Sequence, residues 1–170
     1  MEGAHRRGHT LENKVMITPA DEEFLRRAIA IAAHAVTSGD APYGSLLVGP
    51  DETVLVEAHN TVQRDNDISA HPELKLARWA ARELDSRTAA GTTMYTSCQP
   101  CGMCTGGIAR SGLGRVVYAL ATEQLIELNP SGTWPTVPQD GPALFAQARV
   151  PIDDFYRLGS AGVQAPSAQE

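Results

Sequence analysis

Thr93-Met94-Tyr95-Thr96-Ser97-Cys98-Gln99-Pro100-Cys101-Gly102-Met103-Cys104-Thr105-Gly106-Gly107-Ile108-Ala109-Arg110-Ser111 reads as a strand, Thr93 to Thr96, that runs on into a helix, Cys101 to Ser111. Cys101 and Cys104 stand three apart, so on a helix they share one face. They fall in the first turn, where free N–H groups and the positive end of the helix dipole favour a thiolate. Pro100 suits the junction, because proline is tolerated where no intrahelical N–H bond is needed.

A second helix start lies upstream at His71-Pro72-Glu73 and opens a helix to about Leu84, with Leu74, Leu76, Ala77 and Ala80 along it. Two helix starts aimed at one place supply one imidazole and two thiolates. His71, Cys101 and Cys104 are therefore candidate ligands of a zinc ion. Structural zinc sites close all four tetrahedral positions, whereas three protein ligands leave one open. A water in that position has its pKa lowered towards ~7. Glu73, two residues from His71, is close to the metal but not needed as a ligand. Removing an amino group from an aromatic carbon requires protons to leave water, reach a ring nitrogen and reach the departing nitrogen. One carboxyl between water and substrate can serve all three events, which makes Glu73 the candidate catalytic residue.

Outward from these segments the chain alternates between two periods. Thr18-Pro19-Ala20-Asp21 is an N-cap followed by a proline and an acid. Phe24, Leu25, Ala28, Ile29, Ala32 and Val36 then make a helical apolar stripe. Gly44 to Val48 and Val54 to Ala58 read as a hairpin around the Gly49-Pro50-Asp51-Glu52 turn, and Asn60 to Ala70 as a polar loop. Arg115 to Leu120 reads as a fourth strand, Ala121 to Leu128 and Ala143 to Arg149 as short helices, and Val150 to Tyr156 as a fifth strand. The order predicts an α/β fold, a three-layer α/β/α sandwich with a five-stranded mixed sheet. The predicted organisation is an N-terminal tail over 1–17, one zinc-dependent domain over 18–158 and a C-terminal tail over 159–170.

The formal net charge of −6 argues against a polyanion as main partner and for a small neutral substrate. No stretch approaches the roughly 20 apolar residues of a membrane span, and the polar N-terminus Met1–Asn13 lacks the apolar core of a secretory signal. Three cysteines within seven residues, Cys98, Cys101 and Cys104, make a poor disulfide framework and suggest a reducing cytoplasm and a metal.

H-x-E followed by P-C-x-x-C is the signature of zinc-dependent nucleobase deaminases. On these residues the sequence resembles the cytidine/deoxycytidylate deaminase superfamily, over roughly Asp21 to Leu120. The resemblance includes Pro42-Tyr43-Gly44-Ser45, Asn60, Asp67 through Glu73, Cys101 to Ile108 and Gly114-Arg115-Val116-Val117-Tyr118. Ala70-His71-Pro72-Glu73 with Ala77-Arg78-Trp79-Ala80-Ala81 is similar to small bacterial deaminases of free bases and related triazines. The resemblance implies that His71, Cys101 and Cys104 hold zinc and that Glu73 shuttles protons. It implies that Asn60 bonds the substrate carbonyl and that the Ala70 and Gln99 backbones line the base. It implies a five-stranded mixed sheet between helices, and a homodimer or larger assembly.

The expected activity is hydrolytic deamination of a cytosine-, guanine- or aminotriazine-like ring, with a nucleoside as a further option. A tRNA adenosine deaminase shares the motifs but calls for a basic surface. Residues 121 to 170 carry Arg149 and Arg157 against six acids, a net of −4. A non-catalytic zinc module has no use for Glu73. Blander roles stand beside the sharp ones: His71 as a cap, Glu73 as a dipole partner, Asn60 as a loop tie, Cys98 as a buried strand end, Trp79 as core. Trp134 could be a pocket wall or a loop anchor, and Phe155 with Tyr156 a lid or a terminal core contact.

Overall fold

Thr18 caps the first helix as its sequence predicts. In the computed structural model, which describes residues 16–129 and 137–162, Thr18 Oγ1 accepts from the Asp21 amide (3.1 Å) and Asp21 Oδ2 accepts from the Thr18 amide (2.8 Å). Helix α1 follows over Pro19–Thr37. The remaining elements are β1 (Gly44–Val48), β2 (Val54–His59), α2 (Val62–Asp65), α3 (Pro72–Glu83), α4 (Ser86–Gly91), β3 (Thr93–Cys98), α5 (Gly102–Ser111), β4 (Arg115–Leu120), α6 (Thr122–Leu128) and α7 (Phe145–Gly162).

The sheet order is β2-β1-β3-β4. β1 runs antiparallel to both β2 and β3, while β3 and β4 are parallel, so the sheet is mixed. Neighbouring residues of a strand point to opposite faces, and Leu46 and Leu47 show the result. Leu46 packs with Leu25, Ala28, Val48, Tyr95 and Val117 under α1. Leu47 packs with Leu76, Ala77, Ala80, Met94 and Ile108 under α3 and α5. These are the predicted three layers, and each fully buried Leu is worth ~1.5–3 kcal/mol of transfer free energy.

Leu25, Ala28 and Ala32 of the predicted α1 stripe are buried, but Ile29 and Val36 are exposed. Ala28, Ala32 and Ala35 face the sheet. Small residues win this face because α1 lies directly on Gly44. A Cβ on Gly44 would stand 2.4 Å from Ala32 N and 2.6 Å from Ala28 O.

The predicted five-stranded sheet is corrected to four strands among the described residues. Val150 to Tyr156, read as the fifth strand, lies inside α7. Two apolar residues, Val150 and Ile152, suggested period two, but Pro151 between them cannot donate to a sheet ladder. The helix instead gains contacts at four-residue spacing. Arg149 Nε donates to Asp153 Oδ2 (2.8 Å) and Arg157 Nε to Asp153 O (3.1 Å).

The chain divides into two compact units, Met1–Gly132 and Thr133–Glu170; the sheet belongs to the first and α7 to the second. Phe155 and Tyr156 are exposed on α7 and stack edge to face with ring centroids 5.3 Å apart. α7 carries Gly159–Gly162, the first residues of the predicted C-terminal tail, as helix. Trp134 and residues 1–15 and 163–170 lie outside the described residues. No described helix is long and apolar enough to cross a membrane.

Candidate active site

The end of β3 and the starts of α3 and α5 meet on the face of the sheet opposite α1. His71 is the N-cap of α3 and Cys101 the N-cap of α5, each with extended backbone (φ −76°, ψ 140° and φ −67°, ψ 170°). Neither side chain caps its own helix. They turn towards each other, so His71 is not a capping residue. Gly107 lets α5 approach α3, since a Cβ there would stand 2.6 Å from Leu74 Cδ1.

The Cys101 and Cys104 sulfurs are 3.5 Å apart. His71 Nδ1 lies 3.7 Å from Cys101 Sγ and 3.6 Å from Cys104 Sγ. A tetrahedral zinc with bonds of ~2.3 Å to sulfur and ~2.0–2.1 Å to nitrogen has edges of ~3.8 Å between sulfurs and ~3.6 Å between sulfur and nitrogen. The three donors therefore already sit at the corners of one such tetrahedron, and they form a group able to hold a metal ion. Burial, then the Glu73 carboxylate and Cys101, push the Cys104 thiol up. A dication in the cluster reverses that balance and favours thiolate. Cys98 is buried at the end of β3, outside the donor group. This leaves two sulfurs, not the four an iron–sulfur cluster usually takes.

Glu73 is 4% exposed. Its Oε1 accepts from Thr96 Oγ1 (2.8 Å), and Ser45 Oγ lies 2.8 Å from the same hydroxyl. Its Oε2 lies 3.7 Å from Cys104 Sγ, on the side of the donor cluster. One carboxylate oxygen is thus tied to the sheet, while the other looks into the site.

Asn60 is buried at the start of the loop between β2 and α2. Its amide donates to Tyr43 O (2.9 Å), and its Oδ1 accepts from the Val62 amide (3.1 Å). Among the described residues nothing accepts from its Nδ2. Asn60 is thus a loop tie through Oδ1, with a donor left over. Ala70 is buried, its N–H donating to Asp67 O (3.0 Å) and its carbonyl accepting from Thr61 N (3.1 Å). Gln99 continues β3, its N–H donating to Leu120 O (2.8 Å) and its Oε1 accepting from Thr122 N (3.0 Å).

Sequence reading gave no role to Thr96, Ser45 or Tyr43. Thr96 and Ser45 are paired on adjacent strands and fully buried. Their signal was present as hydroxyls inside apolar strands, where buried polar groups need partners. Tyr43 immediately precedes β1, and its carbonyl accepts from the Asn60 amide (2.9 Å). Burial, with Cys98, Glu73 and Cys101 as negative neighbours, pushes its phenol up. Trp79 packs against the core under α3, as expected.

Residues 18–120, more than half of the chain, match the cytidine and deoxycytidylate deaminase zinc-binding region. The chain belongs to this family. It is 32% identical over 141 residues to a protein named probable cytosine deaminase from Schizosaccharomyces pombe, covering 81% of this chain and 83% of that one. A tRNA-specific adenosine deaminase from Buchnera aphidicola is 32% identical over 105 residues, 62% of this chain and 69% of that one. Among solved structures, guanine deaminase from Bacillus subtilis superposes with a TM-score of 0.67 at 27% identity, covering 87% of this chain and 97% of that one. The fold is thus cytidine deaminase-like.

Proposed function

We propose that the protein is a hydrolytic deaminase of a free nucleobase or closely related amino-heterocycle of cytosine, guanine or aminotriazine type. The observation that carries this reading is Glu73: a buried carboxylate with one oxygen directed at three metal-competent donors. A purely structural zinc site has no need of it. The relatives named cytosine and guanine deaminases support a base as substrate.

His71 Nδ1, Cys101 Sγ and Cys104 Sγ would hold zinc, which as a Lewis acid lowers the pKa of a water molecule and makes it nucleophilic at neutral pH. Overall, water adds its oxygen to the amino-bearing ring carbon, and the C–N bond breaks to release ammonia. Glu73 takes the proton given up by water. It passes that proton to the ring nitrogen, then takes the remaining proton of the added hydroxyl and passes it to the departing amino group, ending in its starting state. Asn60 Nδ2 donates to a ring carbonyl, with the Ala70 and Gln99 backbones beside the ring. Three free cysteines suit a reducing cytoplasm, and a homodimer is part of this proposal on the strength of the family.

A tRNA adenosine deaminase is the second reading, favoured by the relative of that name. The net charge of −4 over residues 121 to 170 opposes it, because RNA binding draws on basic surface. Ammonia release from a panel of free bases, nucleosides and tRNA separates the two. Release from a base by the parent, with zinc kept but release lost in Glu73→Ala, is the expected result. Equal release by parent and variant removes Glu73 from the chemistry.

A further inference from the structure

We propose that Thr96, locked by Ser45, is a positioning residue that holds Glu73 by Oε1 and so makes Oε2 the oxygen that carries the proton. The inference rests on the reading of Glu73 as proton carrier, and it names atoms that reading left open.

The direction of the hydrogen bonds follows from counting hydrogens. An ionised carboxylate only accepts, so the contact of Thr96 Oγ1 with Glu73 Oε1 (2.8 Å) takes the single hydroxyl hydrogen of Thr96. Towards Ser45 Oγ, also 2.8 Å away, Thr96 can then only accept, and Ser45 donates. Both hydroxyls are fully buried in β1 and β3, where water does not compete for them. The pair stands in register across the two strands, so the sheet itself fixes the position of the donor.

The consequence for Glu73 is an asymmetry between its oxygens. A proton on Oε1 would face the hydrogen that Thr96 already presents there. Oε2 accepts from the Cys104 thiol (3.7 Å), a weak donor that loses its hydrogen when the sulfur binds a metal, so a proton on Oε2 then meets no donor and faces the side where the metal-competent residues lie. The proton from water therefore goes to Oε2 and leaves from Oε2, while Oε1 keeps its bond to Thr96 throughout. The carboxylate does not rotate between steps, which matters because loss of orientation is costly to rate.

The test compares Thr96→Val, Thr96→Ser, Ser45→Ala and Glu73→Gln in the zinc-loaded protein. The substrate is whichever base of the cytosine, guanine and aminotriazine panel the parent deaminates fastest. Thr96→Val is expected to lower kcat ~10–100-fold with KM close to that of the parent, as supporting groups behind a metal site commonly do. Thr96→Ser restores most of kcat, and Ser45→Ala falls between it and Thr96→Val. Zinc stays at the parent's stoichiometry in all four. A structure-only readout uses the metal-free protein: the Glu73 carboxyl ¹³C resonance, assigned by its loss in Glu73→Gln, shifts in Thr96→Val and returns in Thr96→Ser. An unchanged kcat or an unshifted resonance in Thr96→Val overturns the proposal, as does a loss that Thr96→Ser fails to recover. If Glu73→Gln is inactive while Thr96→Val matches the parent, this inference alone fails. If Glu73→Gln is active, the proton-carrier reading itself fails.

Discussion

Arg115 grips Asp21 with two nitrogens, Nη1 to Oδ1 at 2.8 Å and Nη2 to Oδ2 at 3.1 Å, tying the first turn of α1 to the start of β4. Tyr95 adds a hydroxyl donor to Oδ1 (2.7 Å). Burial raises the Asp21 pKa, but the bonds from Arg115, Thr18 and Tyr95 outweigh it and hold the carboxyl well below the usual carboxylate range. A depressed folded pKa gives stability that is full above the unfolded value of ~3.9 and is lost as pH falls below it. Tyr95, raised by burial and by Asp21 to about 12, gives stability that is full below pH ~10 and fades as pH rises towards that value. Urea titrations of the parent should show both losses. Asp21→Asn should flatten the acid limb between pH ~4 and ~2. Arg115→Met should cost about 2 kcal/mol at neutral pH, less than a fully buried pair because Arg115 is 31% exposed.

Metal binding is the next quantity to measure. Cys104 is fully buried, with His71 Nδ1 at 3.6 Å and Cys101 Sγ at 3.5 Å from its sulfur. The parent is expected to hold one zinc per chain by elemental analysis. Cys104→Ala is expected to hold none and to release no ammonia. A chelator should abolish release from the parent, and added zinc should restore it. Full turnover by zinc-free protein contradicts the assignment.

Asn60→Asp separates the loop tie of that side chain from its proposed bond to substrate. The new carboxylate still accepts from the Val62 amide, so the loop tie of 3.1 Å is kept. What disappears is the Nδ2 donor. Steady-state kinetics should show kcat/KM lower by ~100-fold or more, because a buried hydrogen bond to substrate is replaced by an unpaired acceptor. The buried carboxylate should also lower the thermal midpoint, so the comparison is made well below it, with zinc content as the control. An unchanged kcat/KM in that comparison would make Asn60 a loop residue and nothing more.

Gly44→Ala probes the closest approach of helix and sheet. The added methyl would meet backbone atoms of α1 at 2.4 and 2.6 Å, and backbone cannot rotate out of the way. Denaturant unfolding should report a loss of ~3 kcal/mol or more, the upper end for overpacking. A loss under 1 kcal/mol would mean that α1 can lift from β1 at little cost.

The two helix starts were legible because their residues are chemically rare and their spacing is local. His71, Glu73, Cys101 and Cys104 each announce themselves in a short segment. Thr18, Pro19 and Asp21 marked the start of α1 for the same reason. Thr96 and Ser45 did not, because their pairing spans 51 residues and depends on strand register, which the sequence does not print. The bond from Tyr95 to Asp21, across 74 residues, was invisible on the same ground. The fifth strand was misread because two β-branched residues around Pro151 outweighed, on the page, the spacing of Arg149 and Asp153. The buried face of α1 was legible at Leu25, Ala28 and Ala32 but not at Ile29 and Val36, because close contact with Gly44 selects the alanine side of the helix.

In α3 the end that bears His71 and Glu73 is the anchored one. Pro72 and Glu73 are buried, while Ala81, Arg82 and Glu83 at the other end face solvent. Unravelling of the last turn therefore starts far from the donors and stops against the packed half of the helix. A fluorophore or a short peptide graft placed at Arg82 or Glu83 sits on the expendable end, so the protein can be labelled or tethered there without disturbing the three donor side chains.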